Sequence, residues 1–343
     1  HRLHSAGKHR GPFSLEFYKI ISPNFYETFL LFTIIFTIFI FFLITIEKNT
    51  MKHPLKISIL TLLFITSGLN SFAQNDSKLF NDRRVINSHS VEVLNKSFLD
   101  IRIGHRFGDV NGKWNTLYGL EVANDVFLGA EYGVTDKFMI GLSRTKGSAN
   151  LKMLVNGLAK WNLLHEKNGK PVSLTLVGVS TVSTMQKNEN PNTLTSFPSF
   201  VNRLSYCGQL VVGKQVSNKL ALQANFSSLH RNIVEDPDKN LMFSAGLAAR
   251  IQVNKTVALI SDLNVPLTGP QSPFSTGQQL STKQYYLPLG FGIEFDTGGH
   301  VFQLNLTNAK GIPQTDFLAN TTSSWLDGEF RLGFTISRVF KVR

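Results

Sequence analysis

Two sets of residues in this 343-residue chain have the types and spacing that chemistry would need. In the first, Ser228 and His230 stand two apart, and Asn232 follows at the same interval. Residues at i and i+2 of an extended strand project from one face. The imidazole could then act as the base that turns a serine hydroxyl into a nucleophile, with the asparagine orienting the ring. The chemistry would be acyl hydrolysis. Ser-x-His is a short pattern in residues common where strands run into loops, so no enzyme is expected, and hydrolysis ranks third among the functional readings.

The second set consists of charged residues that alternate with apolar ones: Asp100, Arg102, Arg106, Glu131, Arg203, Arg250, Glu294 and Arg331, with Asp262 a further candidate. Gln209, Gln223, Asn225, Gln252, Gln303 and Asn305 share their parity without the charge. Gathered on a common interior face, five Arg against four acids would give a slightly positive lining. Rings of charge select ions by sign, so such a lining would favour anionic solutes. The competing expectation is that these charges pair with one another and fill the interior as structure. No metal or cofactor is expected. No His/Asp/Glu group has ligand spacing, the single cysteine, Cys207, excludes a Cys-based zinc site and an intrachain disulfide, and no phosphate-cradling or dinucleotide motif occurs. Cys207 reads as a small apolar filler.

The elements that must position these residues are strands. Apolar Leu128, Ala130 and Tyr132 alternate with Gly129 and Glu131, and the run 241–253 places Leu241, Phe243, Ala245, Leu247, Ala249, Ile251 and Val253 on one parity. A period of two means one apolar face per strand. About twelve such segments are expected, at 98–108, 124–134, 137–146, 150–165, 171–185, 200–216, 219–231, 240–253, 256–266, 284–296, 299–308 and 324–340. Several reach ten residues, the span a tilted strand needs to cross a bilayer, whereas strands of soluble sandwiches average five or six.

The connections alternate as well. Short turns at 135–136, 168–169, 217–218, 254–255 and 297–299 alternate with longer polar loops near 108–124, 186–199, 231–240, 266–283 and 308–323. That rhythm, with an even strand count, predicts an all-β, antiparallel transmembrane β-barrel with short periplasmic turns, longer extracellular loops and both termini on the turn side. With the apolar parity turned to lipid, the charged set would line the lumen, and His105 and His300 would sit at the lipid interface. Twelve strands fall between barrels closed by packed side chains and those with a water channel. The last strand puts Phe330, Leu332, Phe334 and Ile336 on one face and ends near Phe340. An aromatic-ended final strand is the feature that the barrel assembly machinery recognises, which makes that machinery an expected partner. The stretches 103–108 (IGHRFG), 203–206 (RLSY), 298–305 (GGHVFQLN) and 333–340 (GFTISRVF) resemble a family described as a membrane-bound β-barrel domain. The resemblance implies the fold and the outer membrane of a Gram-negative bacterium. It implies no substrate and no functional residues.

The barrel domain is assigned to 74–343. Ahead of it, Met51 opens a secretory signal, 51–73, with Lys52 and Lys56 before the apolar run Ile57–Ile65 and the small residues Ser71 and Ala73 before the expected cleavage. Residues 1–50 contain no Met and an 18-residue Phe/Ile-rich run at 29–46, and read as an upstream extension outside the native protein. Residues 1–73 hold seven of the 35 basic and three of the 23 acidic residues, leaving the exported part at net +8. No basic cluster or motif accompanies that excess, so nucleic acid is not an expected partner. The expected partners are outer-membrane lipid and small solutes. The preferred reading is a narrow passive channel for small solutes, with a leaning towards anionic ones. The runner-up is a non-conducting barrel whose loops bind a partner or ligand, and an outer-wall lipid hydrolase using Ser228 and His230 comes third.

Overall fold

The computed structural model describes residues 78–166, 170–275 and 283–342. The upstream extension, the signal segment and residues 74–77 lie outside these. Twelve strands form: β1 (Phe98–Phe107), β2 (Ala123–Gly133), β3 (Phe138–Thr145), β4 (Leu154–Leu164), β5 (Ser173–Ser183), β6 (Leu204–Gln215), β7 (Leu220–Arg231), β8 (Leu241–Gln252), β9 (Val257–Pro266), β10 (Leu289–Asp296), β11 (His300–Thr307) and β12 (Arg331–Lys341). Each pairs antiparallel with the next, and β12 returns to β1 from Leu99↔Phe340 to Arg106↔Gly333, closing the barrel. Closure satisfies every strand edge, which a sheet in lipid requires.

The alternation seen in the sequence is the alternation of the wall. Along β5 the odd positions from Ser173 to Ser183 are buried, while Leu176, Gly178 and Ser180 are exposed. Around the outside, Leu128, Leu142, Trp161, Phe226, Leu247 and Leu304 form an apolar band. A contiguous apolar exterior of this extent is what a lipid-facing wall presents. The turn between β10 and β11 shows how the short connections are made. Gly298 takes a left-handed φ of 80°, and its N–H donates to Asp296 Oδ1 at 2.8 Å. Only glycine enters that region without a steric cost.

Four strands start four or more residues later than the sequence patterning indicates, β4 among them at Leu154. β6 begins at Leu204 because Ser199 and Asn202 form a reciprocal cap around a short 3-10 turn, Phe200–Arg203. β10 begins at Leu289 and β12 at Arg331. Before β12 the connection folds inward and carries a short helix, α1 (Gln314–Asn320), whose residues Gln314 to Ala319 are buried.

Candidate functional site: a filled lumen and a loop-end cleft

The lumen is occupied by the chain itself. Residues 78–96, which precede β1, enter from the turn end, reverse at Ile86–Asn87 and return. Val85 N–H donates to the Ser88 carbonyl (2.9 Å), Ser90 N–H donates to the Arg83 carbonyl (2.9 Å), and Arg84 and His89 form an isolated bridge. The Glu92 carboxylate accepts the Leu79 N–H at 2.9 Å, closing the base of this hairpin. Residues 78–96 lack the two-residue period of a wall strand, and a short hairpin cannot stabilise itself in water. The barrel interior supplies what it lacks.

One side of the interior is ionic. Arg102 on β1 donates to both carboxylate oxygens of Asp82, with 2.8 Å from Nη1 to Oδ2, and its Nη2 lies 3.1 Å from Asp100. Arg83 donates to Asp100 and to Ser337 Oγ, and its Nε lies 3.9 Å from Glu131. The hairpin tip rests on Asp262 of β9, which accepts the N–H groups of Asn87 and Ser88, both at 2.7 Å, and Asn87 Nδ2 at 2.8 Å. Lys160 of β4 is fully buried and donates to three hairpin carbonyls, those of Arg83, Ser90 and Glu92. The other side is less charged and holds the larger apolar cluster. Leu79, Phe80, Val85, Ile86 and Val91 pack with wall residues that include Val177, Val179, Cys207, Val211 and Leu229.

From the loop end, the β11–β12 connection closes the remaining space. Arg106 Nη1 donates to the carbonyls of Ala309 (3.0 Å) and Gly311 (2.7 Å), and Asp125 accepts the Ile312 N–H at 2.8 Å. Asp316 of α1 accepts the backbone N–H and the hydroxyl of Ser148, at 2.7 and 3.0 Å. Burial pushes the Asp316 carboxyl up to about 7, Asp125 adds to the rise, and the Ser148 hydrogen bonds and Arg106 oppose it.

The residues singled out by strand parity therefore stand as follows. Asp100, Arg102, Arg106, Glu131, Asp262, Arg250, Glu294 and Arg331 are buried. Arg250 Nε pairs with Glu294 at 2.8 Å, and Arg331 donates to the Asn308 carbonyl and to Ser323 Oγ. These groups meet the inserted hairpin, the inward loop or each other, and do not form an open ring. Arg203 is a correction. It lies ahead of β6 in the 3-10 turn, half-buried, where Nη1 donates to the carbonyls of Ser183 and Met185 and the guanidinium covers the Phe197 ring at 4.0 Å. Lys160 and Asp125 were missed, although each has the parity of charged or polar neighbours on its own strand. On the outer face, His230 Nε2 meets Asn232 Oδ1 at 3.2 Å. Among the described residues no hydrogen bond joins Ser228 to His230, so the nucleophile–base contact is not formed in this structure. No group of three or more His, Cys, Asp or Glu among the described residues could hold a metal ion.

Beside α1 a cleft of about 150 Å³ opens at the loop end. Arg203, Arg231, Glu235, Asp238, Thr315 and Asp316 are among the residues lining it. Arg231 is held by Asp238 at 2.7 Å, and Thr315 Oγ1 meets Thr181 Oγ1 at 2.7 Å. Cations and acids both line the cleft, and Thr315 and Asp316 of the inward loop are among its residues.

Residues 80–340 match the model of a family described as a membrane bound beta barrel domain. No curated protein sequence matches the chain. Among solved structures, the NanC porin aligns at 8% identity and a TM-score of 0.40, covering 71% of this chain and 100% of the porin. The KdgM porin gives the same identity and score, with 71% and 99% covered. An outer membrane channel from Pseudomonas putida F1 aligns at 13% identity and a TM-score of 0.40, covering 73% of this chain and 97% of that one.

Proposed function

Because the chain belongs to the family of membrane-bound β-barrel domains, we propose that it is an outer-membrane barrel sealed at rest by its own N-terminal hairpin, with the loop-end cleft as its working surface. Export would use the 51–73 signal, and assembly would read the final strand with Phe340. One observation carries the reading: residues 79–94 occupy the lumen, with Asp82, Asn87, Ser88 and Ser90 essentially without solvent contact. Polar groups buried this completely are retained where partners satisfy them, and the wall supplies those partners through Arg102, Asp262 and Lys160. A closed lumen leaves the loop end as the face that meets the exterior, and functional residues concentrate on loops held by a rigid scaffold. The cleft there, with Arg231 and Asp238 paired in its wall, fits a small polar ligand carrying both signs of charge.

The test is single-channel conductance of residues 74–343 inserted in a planar bilayer. Properly inserted but silent protein is the expected result, and discrete steps without any trigger would sink the sealed-barrel reading.

A second reading is favoured by the ionic half of the interior. If the hairpin withdraws and the inward β11–β12 loop moves with it, Arg102, Arg106 and Arg250 face a hydrated passage, and small anionic solutes would cross it. In that case Asp82→Ala/Arg83→Ala should switch on conductance with anion preference, and adding Arg102→Ala/Arg250→Ala should remove the preference.

A further inference from the structure

The two ends of the barrel differ in charge. Among the described residues, the long connections at the loop end hold eight Lys/Arg and nine Asp/Glu, so that end is nearly balanced. At the turn end, four of the five short connections carry a lysine: Lys137, Lys170, Lys219 and Lys255. The two acids in those turns are already engaged by backbone. Asp136 accepts the Lys96 N–H and Glu166 accepts the Gln215 N–H, both at 2.9 Å. Lys214 and Arg338 add to the same rim from the outward parity of β6 and β12. With Arg144 near the loop end, they are the only charged side chains on the lipid-facing parity of the described strands, and all three are basic.

We propose that this turn-end rim is a binding surface for the headgroups of anionic phospholipid in the adjoining leaflet. The inference rests on the outer-membrane reading above. Geometry selects the occupant. Consecutive turns are separated by two strand spacings, about 10 Å or more, so the four lysines cannot converge on one small ligand. They suit an extended anionic surface that surrounds the barrel. Lys214 and Arg338 decide which surface, because a long cationic side chain on a lipid-facing wall lays its stem along the apolar band and carries its charge to the phosphate level. No described hydrogen bond or ion pair occupies the charged end of any of the six side chains.

The experiment uses the exported protein reconstituted from an equimolar mixture of phosphatidylglycerol and phosphatidylcholine, with retained lipid counted by native mass spectrometry. Phosphatidylglycerol should be retained over phosphatidylcholine by about fivefold or more, the scale of a single well-placed cation, and the preference should shrink in high salt. Lys214→Gln/Lys219→Gln/Lys255→Gln/Arg338→Gln should bring the ratio close to one. The loop-end control Lys152→Gln/Lys187→Gln/Lys239→Gln should leave it unchanged. Equal retention by the unaltered protein, an unchanged ratio in the rim variant, or equal loss in the control would each overturn the proposal. Should the fourfold variant not fold, as judged by heat-modifiable gel mobility, Lys219→Gln/Lys255→Gln alone must still lower the ratio. Conductance by the protein would sink the sealed-barrel reading without touching this result, whereas recovery of the protein with neither lipid would sink the membrane reading itself.

Discussion

Gln314 Nε2 donates to the carbonyl of Asn87 at 3.1 Å. Asn87 sits at the tip of the hairpin inserted from the turn end, and Gln314 opens the helix folded in from the loop end. The two closures are thus joined inside the barrel. Gln314→Ala should leave the Asn87 carbonyl without this donor and cost about 1–2 kcal/mol. The loss should appear as faster amide hydrogen exchange at both 86–89 and 314–320, while the wall strands keep their protection. Faster exchange in one segment alone would show that the two closures open independently.

Asp82 and Arg102 form the pair that anchors the hairpin to β1. Removing one member of a buried pair costs up to about 3–5 kcal/mol, the upper end being reached only where no second partner such as Asp100 remains beside Arg102. Asp82→Ala and Arg102→Ala should each lower the urea midpoint of barrel unfolding on the gel-shift assay. Asp82→Leu/Arg102→Met should cost clearly less than the sum of the two, because neither charge is then left uncompensated. Simple additivity would mean that the pair is not coupled.

Lys160 clips both arms of the hairpin, since its three acceptors belong to Arg83 on one arm and to Ser90 and Glu92 on the other. Lys160→Met keeps the unbranched stem of the side chain to Cε but offers no donor. Hydrogen bonds to a charged group contribute about 1.5–3 kcal/mol each and are not additive when shared, so a total near 3 kcal/mol is expected. Limited proteolysis read by mass spectrometry should find cleavage within 83–92 in this variant before any cut in the wall, and an uncut hairpin would contradict the clip.

The wall was legible in the sequence because a strand's period of two writes its two environments directly into residue types. Leu176 and Val177 are neighbours of opposite fate, one facing out and one in, and the turns announce themselves in Asn254-Lys255 and Gly298-Gly299. Parity likewise separated Arg102 and Asp100 from Ile101 and Ile103. It could not say what those charges would meet. Asp82, Arg83 and Asn87 belong to a segment whose order comes from the wall around it, so no local period marks it. The apolar half of the interior was hidden for a related reason. Val177, Val179 and Val211 look like any strand residue until the inserted Leu79, Phe80 and Val91 give them something to cover. The strand expected at 200–216 took in Arg203, whereas a 3-10 turn capped by Ser199 and Asn202 occupies its first four residues.

Asp316 makes the loop-end closure sensitive to pH. Its carboxyl is pushed up to about 7 from an ordinary 3.8, first by burial and then by Asp125 on β2, against the Ser148 hydrogen bonds and Arg106 on β1. The folded pKa exceeds the unfolded one, so the docked loop binds the proton more tightly than the undocked one. The resulting stability is fully present below the ordinary carboxyl pKa and is lost as pH rises through about 7. Exchange protection of 314–320, corrected for the intrinsic effect of pH, should therefore fall between about pH 5 and about pH 8 in the unaltered protein. Asp316→Asn keeps an oxygen to accept from Ser148 and has no proton to lose, so its protection should be flat over the same interval. Equal slopes in the two proteins would remove Asp316 as the titrating group.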